Sequence, residues 1–152
     1  MNISNEKLPV SLIGKINYSF EDNVEKLNSR NLKVIDLDYE PVDICILPNN
    51  HFLISSTKRK RFTVYDSNFI KIKTFDKING QYFTPRYFTT NSVDKIYFSE
   101  VTGKIIETDL DFKFIQEFGT EGSGDQELNF PNGIVYYENS IYVCDCENKR
   151  IQ

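Results

Sequence analysis

Apolar positions recur along this chain in short alternating runs, and three of those runs repeat one another. Each begins at a proline: Pro41, Pro85 and Pro131, spaced 44 and 46 residues apart. Their apolar centres, Ile54, Phe98 and Val143, are spaced 44 and 45 residues apart. Within each unit a short apolar strand (43–47, 87–90, 133–137) leads through a polar turn containing Asn into a second strand (52–55, 96–99, 141–144). A polar hairpin loop and a third strand follow, at 61–65, 105–108 and from Arg150 onward. The first two units add a fourth strand, 69–75 and 112–118, in which Ile70, Ile72 and Thr74, or Phe112 and Phe114, alternate with polar residues. Period-two alternation broken by Pro, Asn and Gly predicts antiparallel strands with one face buried.

Composition points the same way. The chain has no Ala and only 9 Leu, whereas Ile, Val, Thr, Phe and Tyr fill 56 of its 152 positions. Branched and aromatic side chains suit a pleated, half-buried surface and lose rotamer freedom on a helix, so the fold class is all-β. Four antiparallel strands in roughly 45 residues make a β-propeller blade. The predicted organisation is a partial or degenerate N-terminal blade over 1–40, with strand-like alternation at Leu12 to Phe20 and Asn31 to Asp38. Blades follow over 41–84 and 85–130, then a truncated blade over 131–152. Residues 119–130 hold three of the seven Gly beside acidic residues and read as a connection between blades.

Charge and cysteine usage narrow the function classes. A net charge of −4 and a pI of about 5.1 make the chain a poor partner for nucleic acid unless its basic residues gather on one face. The first 20 residues contain no apolar signal core, and no run approaches the ~18 apolar residues of a membrane span. Cys45, Cys144 and Cys146 are odd in number and do not look like a secreted disulfide framework. A cytoplasmic protein is the expectation, with no membrane partner.

The stretch from Phe118 to Gln152 resembles the NHL repeat. The resemblance rests on Phe118-Gly119, Gly122, Gly124-Asp125, Phe130-Pro131, Gly133-Ile134, Ile141-Tyr142-Val143-x-Asp145 and Asn148-x-Arg150-Ile151-Gln152. The second unit follows the pattern more loosely, with Glu100 in place of Asp145 and Ile105 in place of Arg150. The first keeps Arg61 but has Ser56 at the acidic position. Structural roles are expected for Gly119, Pro131, Gly133, Asp145, Asn148 and Arg150. Asp145 and Arg150 flank a four-residue loop, which sets them face to face across a hairpin as a charge-assisted pair, with Asn148 as the residue tolerating left-handed backbone.

Candidate chemistry is sparse. His51 is the only histidine and sits in a polar turn, where it is expected to be solvated. Lyases with an NHL-type propeller hold zinc through several histidines, which one His cannot supply, and propeller lactonases hold calcium through acidic and Asn side chains, so the resemblance implies neither metal from these residues. Asp43, Asp94 and Asn132 lie near blade starts or turns with no spacing that marks a site. Cys144 and Cys146 are expected on one side of a strand as packing residues. No catalytic residue, metal or cofactor is assigned, and the protein is expected not to be an enzyme.

The one charge cluster is Lys58-Arg59-Lys60-Arg61 in the hairpin loop of the first full blade, near Lys71 and Lys73. It is the candidate partner-binding patch, for an acidic protein or, as an alternative, RNA phosphate. Propellers close with at least about four blades, so an incomplete ring of about three implies a fragment of a longer propeller or a homodimer that completes the ring. The function expected is a non-enzymatic, NHL-type module mediating protein–protein interaction as a scaffold. An RNA-binding module and a propeller hydrolase or lyase stand as alternatives. The partner, the oligomeric state and any link to ubiquitin ligation do not follow from the sequence.

Overall fold

A computed structural model describes residues 34–152. The chain divides into two compact units, Met1–Asp36 and Leu37–Gln152, and every strand described lies in the second. The strand expected at Leu12 to Phe20 lies outside the described residues. The described part of the strand expected at Asn31 to Asp38 forms no strand and ends in a bend at Asp38 and Tyr39. The following residues are drawn toward a basic loop instead, with Glu40 2.7 Å from Lys58 Nζ.

Three antiparallel sheets carry the fold. The first comprises β1 (Asp43–Ile46), β2 (Phe52–Ser56), β3 (Arg61–Tyr65) and β4 (Lys71–Phe75), paired in chain order. A small hairpin follows, β5 (Lys77–Ile78) and β6 (Gln81–Tyr82). Its Asn79-Gly80 turn has φ of 52° and 75°, the left-handed pair that matches strand twist. The second sheet comprises β7 (Pro85–Thr90), β8 (Lys95–Glu100), β9 (Lys104–Asp109) and β10 (Phe114–Phe118). Then come β11 (Thr120–Glu121) and β12 (Glu127–Leu128), a short parallel pair. The third sheet has β13 (Pro131–Tyr137), β14 (Ser140–Asp145) and β15 (Arg150–Ile151).

Register shows the repetition directly. Ile44 lies opposite Ile54 and Ile54 opposite Thr63; Phe88 lies opposite Phe98 and Phe98 opposite Ile106. Ile134 lies opposite Val143 in the third sheet. The fourth strands are shorter than the alternation predicts, because Phe69 and Phe112 are turn residues at φ 62° and 64°. The backbone N–H of each donates to the carbonyl of an aspartate three positions earlier.

Neighbouring sheets meet through their first strands, β1 and β13 each packing on β7. Side-chain bonds cross the gaps between them. Ser55 Oγ donates to the Arg86 carbonyl at 2.8 Å, and Thr89 Oγ1 accepts from the Tyr136 N–H at 3.2 Å. Apolar faces fill the space between. Leu53, Phe62 and Val64 of the first sheet pack against Phe88, Ile96, Phe98 and Ile106 of the second. Phe62 is fully buried, with four aromatic rings at centroid distances of 4.9, 5.4, 5.1 and 4.9 Å. A smaller core of Tyr97, Ile105, Leu128 and Val143 joins the second and third sheets.

Candidate interaction surfaces

The repeat motif of the third sheet is a buried charge that anchors a loop. Asp145 ends β14 with no exposure and lies opposite Arg150 across the hairpin. Arg150 Nε donates to its Oδ2 at 2.8 Å, the Asn129 N–H to Oδ1 at 2.7 Å, and Asn148 Nδ2 and Gln152 Nε2 complete the set. Burial alone raises the carboxyl, but these donors outweigh it and hold the pKa at about 2. The remaining donors of the same side chains reach the Gly-rich connection. Arg150 Nη1 and Nη2 bond the carbonyls of Ser123, Gly124 and Glu127, Gln152 bonds that of Glu127, and Asn148 that of Gly122. The motif therefore clamps the segment that enters the blade, a role that spacing alone did not reveal. The left-handed residue of this turn is Lys149, at φ 55°, rather than Asn148, whose amide is spent on the network. Gly119, at φ 79°, turns the chain out of β10, and Pro131 starts β13; at Gly133 a Cβ would make only an ordinary 3.5 Å contact with Cys144 Sγ, so space does not require glycine there.

The same position differs in the other two sheets. Glu100 lies opposite Lys104, so Lys104 and not Ile105 takes the place of Arg150, because the loop there is one residue shorter. Ile105 corresponds instead to Ile151. Glu100 accepts the Thr84 N–H at 3.2 Å, as Asp145 accepts that of Asn129, while Lys104 pairs with Glu117 at 2.7 Å. In the first sheet Arg61 faces Ser56, and its buried Nε has no hydrogen-bond partner.

The basic loop lies between β2 and β3, with Lys58, Arg59 and Lys60 exposed. Two carboxylates from the preceding segment offset it. Lys58 pairs with Glu40, whose pKa that hydrogen bond lowers, and Arg61 Nη2 is 3.6 Å from Asp38 while its guanidinium stands 4.9 Å over the Tyr39 ring. Arg59 donates to the Asp38 carbonyl at 3.5 Å. Lys73 lies over the Phe75 ring at 4.2 Å.

The residues weighed for chemistry do not converge. His51 is half-buried rather than solvated, held in its turn through an N–H donated to Asn49 Oδ1. Asp43 bridges two sheets, Asp94 accepts from Asn91 Nδ2 in a turn, and Asn132 Nδ2 contacts Cys146 Sγ. Cys146 lies past the end of β14 in an exposed turn, so it does not share a strand face with Cys144. Burial pushes the Cys45 thiol up to about 12. No group of three or more His, Cys, Asp or Glu side chains is placed to hold a metal among the described residues. No helix there is long and apolar enough to cross a membrane.

The outward face of the third sheet presents exposed apolar side chains. Tyr142 and Ile151 correspond by register to Tyr97 and Ile105 of the second sheet and to Leu53 and Phe62 of the first. In the first two sheets the next blade covers these side chains, leaving Tyr97 6% and Ile105 3% exposed. In the third, Tyr142 is 43% and Ile151 64% exposed, with Val135 beside Tyr142. The strand alternation that marks these positions as apolar does not say whether a neighbour covers them.

Four-stranded sheets in chain order, packed side by side through their first strands, define blades of a β-propeller. The NHL repeat pattern matches residues 128–152, which include the whole third sheet. Solved structures share the fold. A catalytically inactive virginiamycin B lyase from Staphylococcus aureus with quinupristin superposes with a TM-score of 0.59 at 15% identity, covering 78% of this chain and 39% of that one. A streptogramin B lyase gives 0.59 at 15%, covering 78% and 38%. A second structure of the Staphylococcus aureus lyase gives 0.57 at 19%, covering 79% and 39%. This chain thus spans about two fifths of the length of those lyases. No curated protein matches it in sequence.

Proposed function

We propose that this chain is a non-enzymatic, NHL-type propeller module that mediates protein–protein interaction, with a second copy of itself as the partner that covers its open blade. One observation carries the reading. The outward face of the third sheet presents, at Tyr142 and Ile151, the side chains that the first two sheets use to pack the next blade. An apolar sheet face built for a neighbour is stable once a neighbour covers it. The likeness to lyases is one of fold and transfers no chemistry. The RNA alternative is weakened by Asp38 and Glu40, which offset the one basic loop.

Light scattering on a sizing column, across a range of concentrations, tests the proposal. The expected result is a dimer near twice 17.8 kDa that Ile151→Lys and Tyr142→Lys each convert to a folded monomer. A monomeric wild-type chain at all concentrations would overturn it.

A further inference from the structure

The carboxylate that ends the second strand of a blade is matched by an arginine in the third blade and by no cation in the second. Glu100 ends β8 as Asp145 ends β14, and Lys104 faces it where Arg150 faces Asp145. Arg150 spends its guanidinium on Asp145 Oδ2 and on the carbonyls of Ser123, Gly124 and Glu127. Lys104 turns away instead, its Nζ 2.7 Å from Glu117 Oε1. Among the described residues no cation lies within ion-pair distance of Glu100.

Glu100 is nevertheless buried, at 9% exposure. Its Oε1 accepts the Thr84 N–H at 3.2 Å and its Oε2 the Thr102 hydroxyl at 2.7 Å. An ionised carboxylate offers about four acceptor positions, so about half of its capacity stays open. Burial penalises the charge, and a buried carboxylate is ordinarily matched by a cation.

Arg150 spans from β15 to the connection that enters its blade. In the second blade the corresponding span, from Lys104 to the β5–β6 hairpin, is a cavity of about 560 Å³. That falls within the range of ligand pockets, about 300–1,000 Å³. Glu100, Thr102, Lys104 and Glu117 line it from the blade, and Gln81 and Tyr82 from the hairpin. Two carboxylates against one ammonium leave the lining negative. The core residues Ile78, Phe83 and Ile106 add an apolar wall. Tyr82 is 70% exposed, and its ring already carries a cation, with Lys77 Nζ 4.2 Å from the centroid. A guanidinium suits both parts of this lining: its edge donates paired N–H bonds to a carboxylate, and its weakly hydrated faces rest on apolar and aromatic surface. A strongly hydrated ammonium suits only the first.

We infer that this cavity takes the guanidinium of an arginine carried by a partner protein, which gives Glu100 the pairing that Arg150 gives Asp145. A free amino acid would bring its own carboxylate up to Glu117, whereas an arginine within a polypeptide brings none. The cavity includes neither Tyr142 nor Ile151, so this site and self-association through the open blade stand or fall separately.

The probe is N-acetyl-arginine methylamide, titrated into the full chain and followed by NMR at the backbone amides of Thr84, Thr102 and Gly103. Saturable shifts at these amides are expected. Binding should weaken at least about tenfold for the citrulline counterpart, which keeps the shape without the charge, and for the lysine counterpart. Glu100→Gln should weaken the arginine probe by a similar factor; the comparison of probes cannot disturb the fold and tests the site even if that variant does. Free L-arginine should bind more weakly than the blocked form. No saturable shift up to roughly 50 mM, or equal binding of the arginine, citrulline and lysine probes, would overturn the inference. Tighter binding of free L-arginine would overturn the assignment to an arginine borne by a protein.

Discussion

Asp43 Oδ2 on β1 accepts the backbone N–H of Phe88 on β7 at 3.0 Å, so a carboxylate of the first blade holds the inner strand of the second. Its Oδ1 accepts the Ile44 N–H at 2.9 Å. Burial raises the carboxyl above its ordinary value, and the two N–H donors only partly oppose that. A raised folded pKa means the native state holds this proton more tightly than the unfolded chain. Stability from this group is therefore present at low pH and lost as pH rises through the folded value. Asp43→Asn, which mimics the protonated form, should gain on the wild type in urea denaturation as pH rises from 4 to 7; the opposite trend would refute the assignment. Asp43→Ala leaves the Phe88 N–H unpaired and should cost about 1–2 kcal/mol.

Arg61 and Ser56 form an unfinished version of the Arg150–Asp145 pair. They face each other at the same register, yet Arg61 Nε is buried without an acceptor. Ser56→Asp supplies the missing carboxylate, and the expected gain is about 1 kcal/mol, less than a fully braced pair gives, because no counterpart of Asn148 or Gln152 stands by. A lower urea midpoint for Ser56→Asp would show that the site cannot admit the charge.

The basic loop separates the protein-binding reading from the RNA one. Changing Lys58, Arg59 and Lys60 together to Gln spares Arg61, which packs on Tyr39. Retention on immobilised single-stranded RNA at low salt should be as weak for this variant as for the wild type, because Glu40 and Asp38 already offset the cluster. A salt-sensitive loss of retention in the variant would restore the RNA alternative.

The propeller class was legible because strand alternation and a period near 45 residues survive in every blade. Arg61 to Tyr65 came out with the predicted bounds. Phe69 and Phe112 did not, since an aromatic residue gives no local sign of the left-handed turn that an Asp carbonyl three positions earlier imposes. The Asp145–Arg150 facing follows from loop length, but the donors that Arg150 and Gln152 send to Ser123, Gly124 and Glu127 are long-range and carry no sequence signature. Glu107 was missed for a related reason. It sits in an alternating strand as if solvent-facing, yet it is buried against Lys95 and Gln116.

Two glycines with similar backbone should respond differently to alanine. Gly80, at φ 75°, has open space where a Cβ would stand, so Gly80→Ala bears only left-handed strain of about 1 kcal/mol. Gly103, at φ 82°, would set a Cβ 2.6 Å from the Leu128 carbonyl and 2.7 Å from Glu121 Cα, both backbone of the β11–β12 pair. Gly103→Ala adds that clash to the same strain and should lose at least about 2 kcal/mol. Equal urea midpoints for the two variants would mean the turn is not seated on β12.

Asp145 sets the acid limit of the third blade. Its pKa of about 2 lies below the ordinary carboxyl range, because the bonds from Asn129, Asn148, Arg150 and Gln152 outweigh its burial. A depressed folded pKa contributes stability that is complete above the unfolded value and lost as pH falls from near 4 through about 2. Asp145→Asn removes the charge while keeping the shape, and it leaves Arg150 facing a neutral amide that can accept through one oxygen only. The expected cost at pH 7 is roughly 3 kcal/mol, with the difference from wild type shrinking as pH falls below 4. The clamp on the Gly-rich connection should loosen with it, so amide exchange at Gly122 to Glu127 should quicken more than exchange in β8 and β9. Uniform acceleration across all three blades would show that Asp145 acts on the whole assembly and not on its own blade.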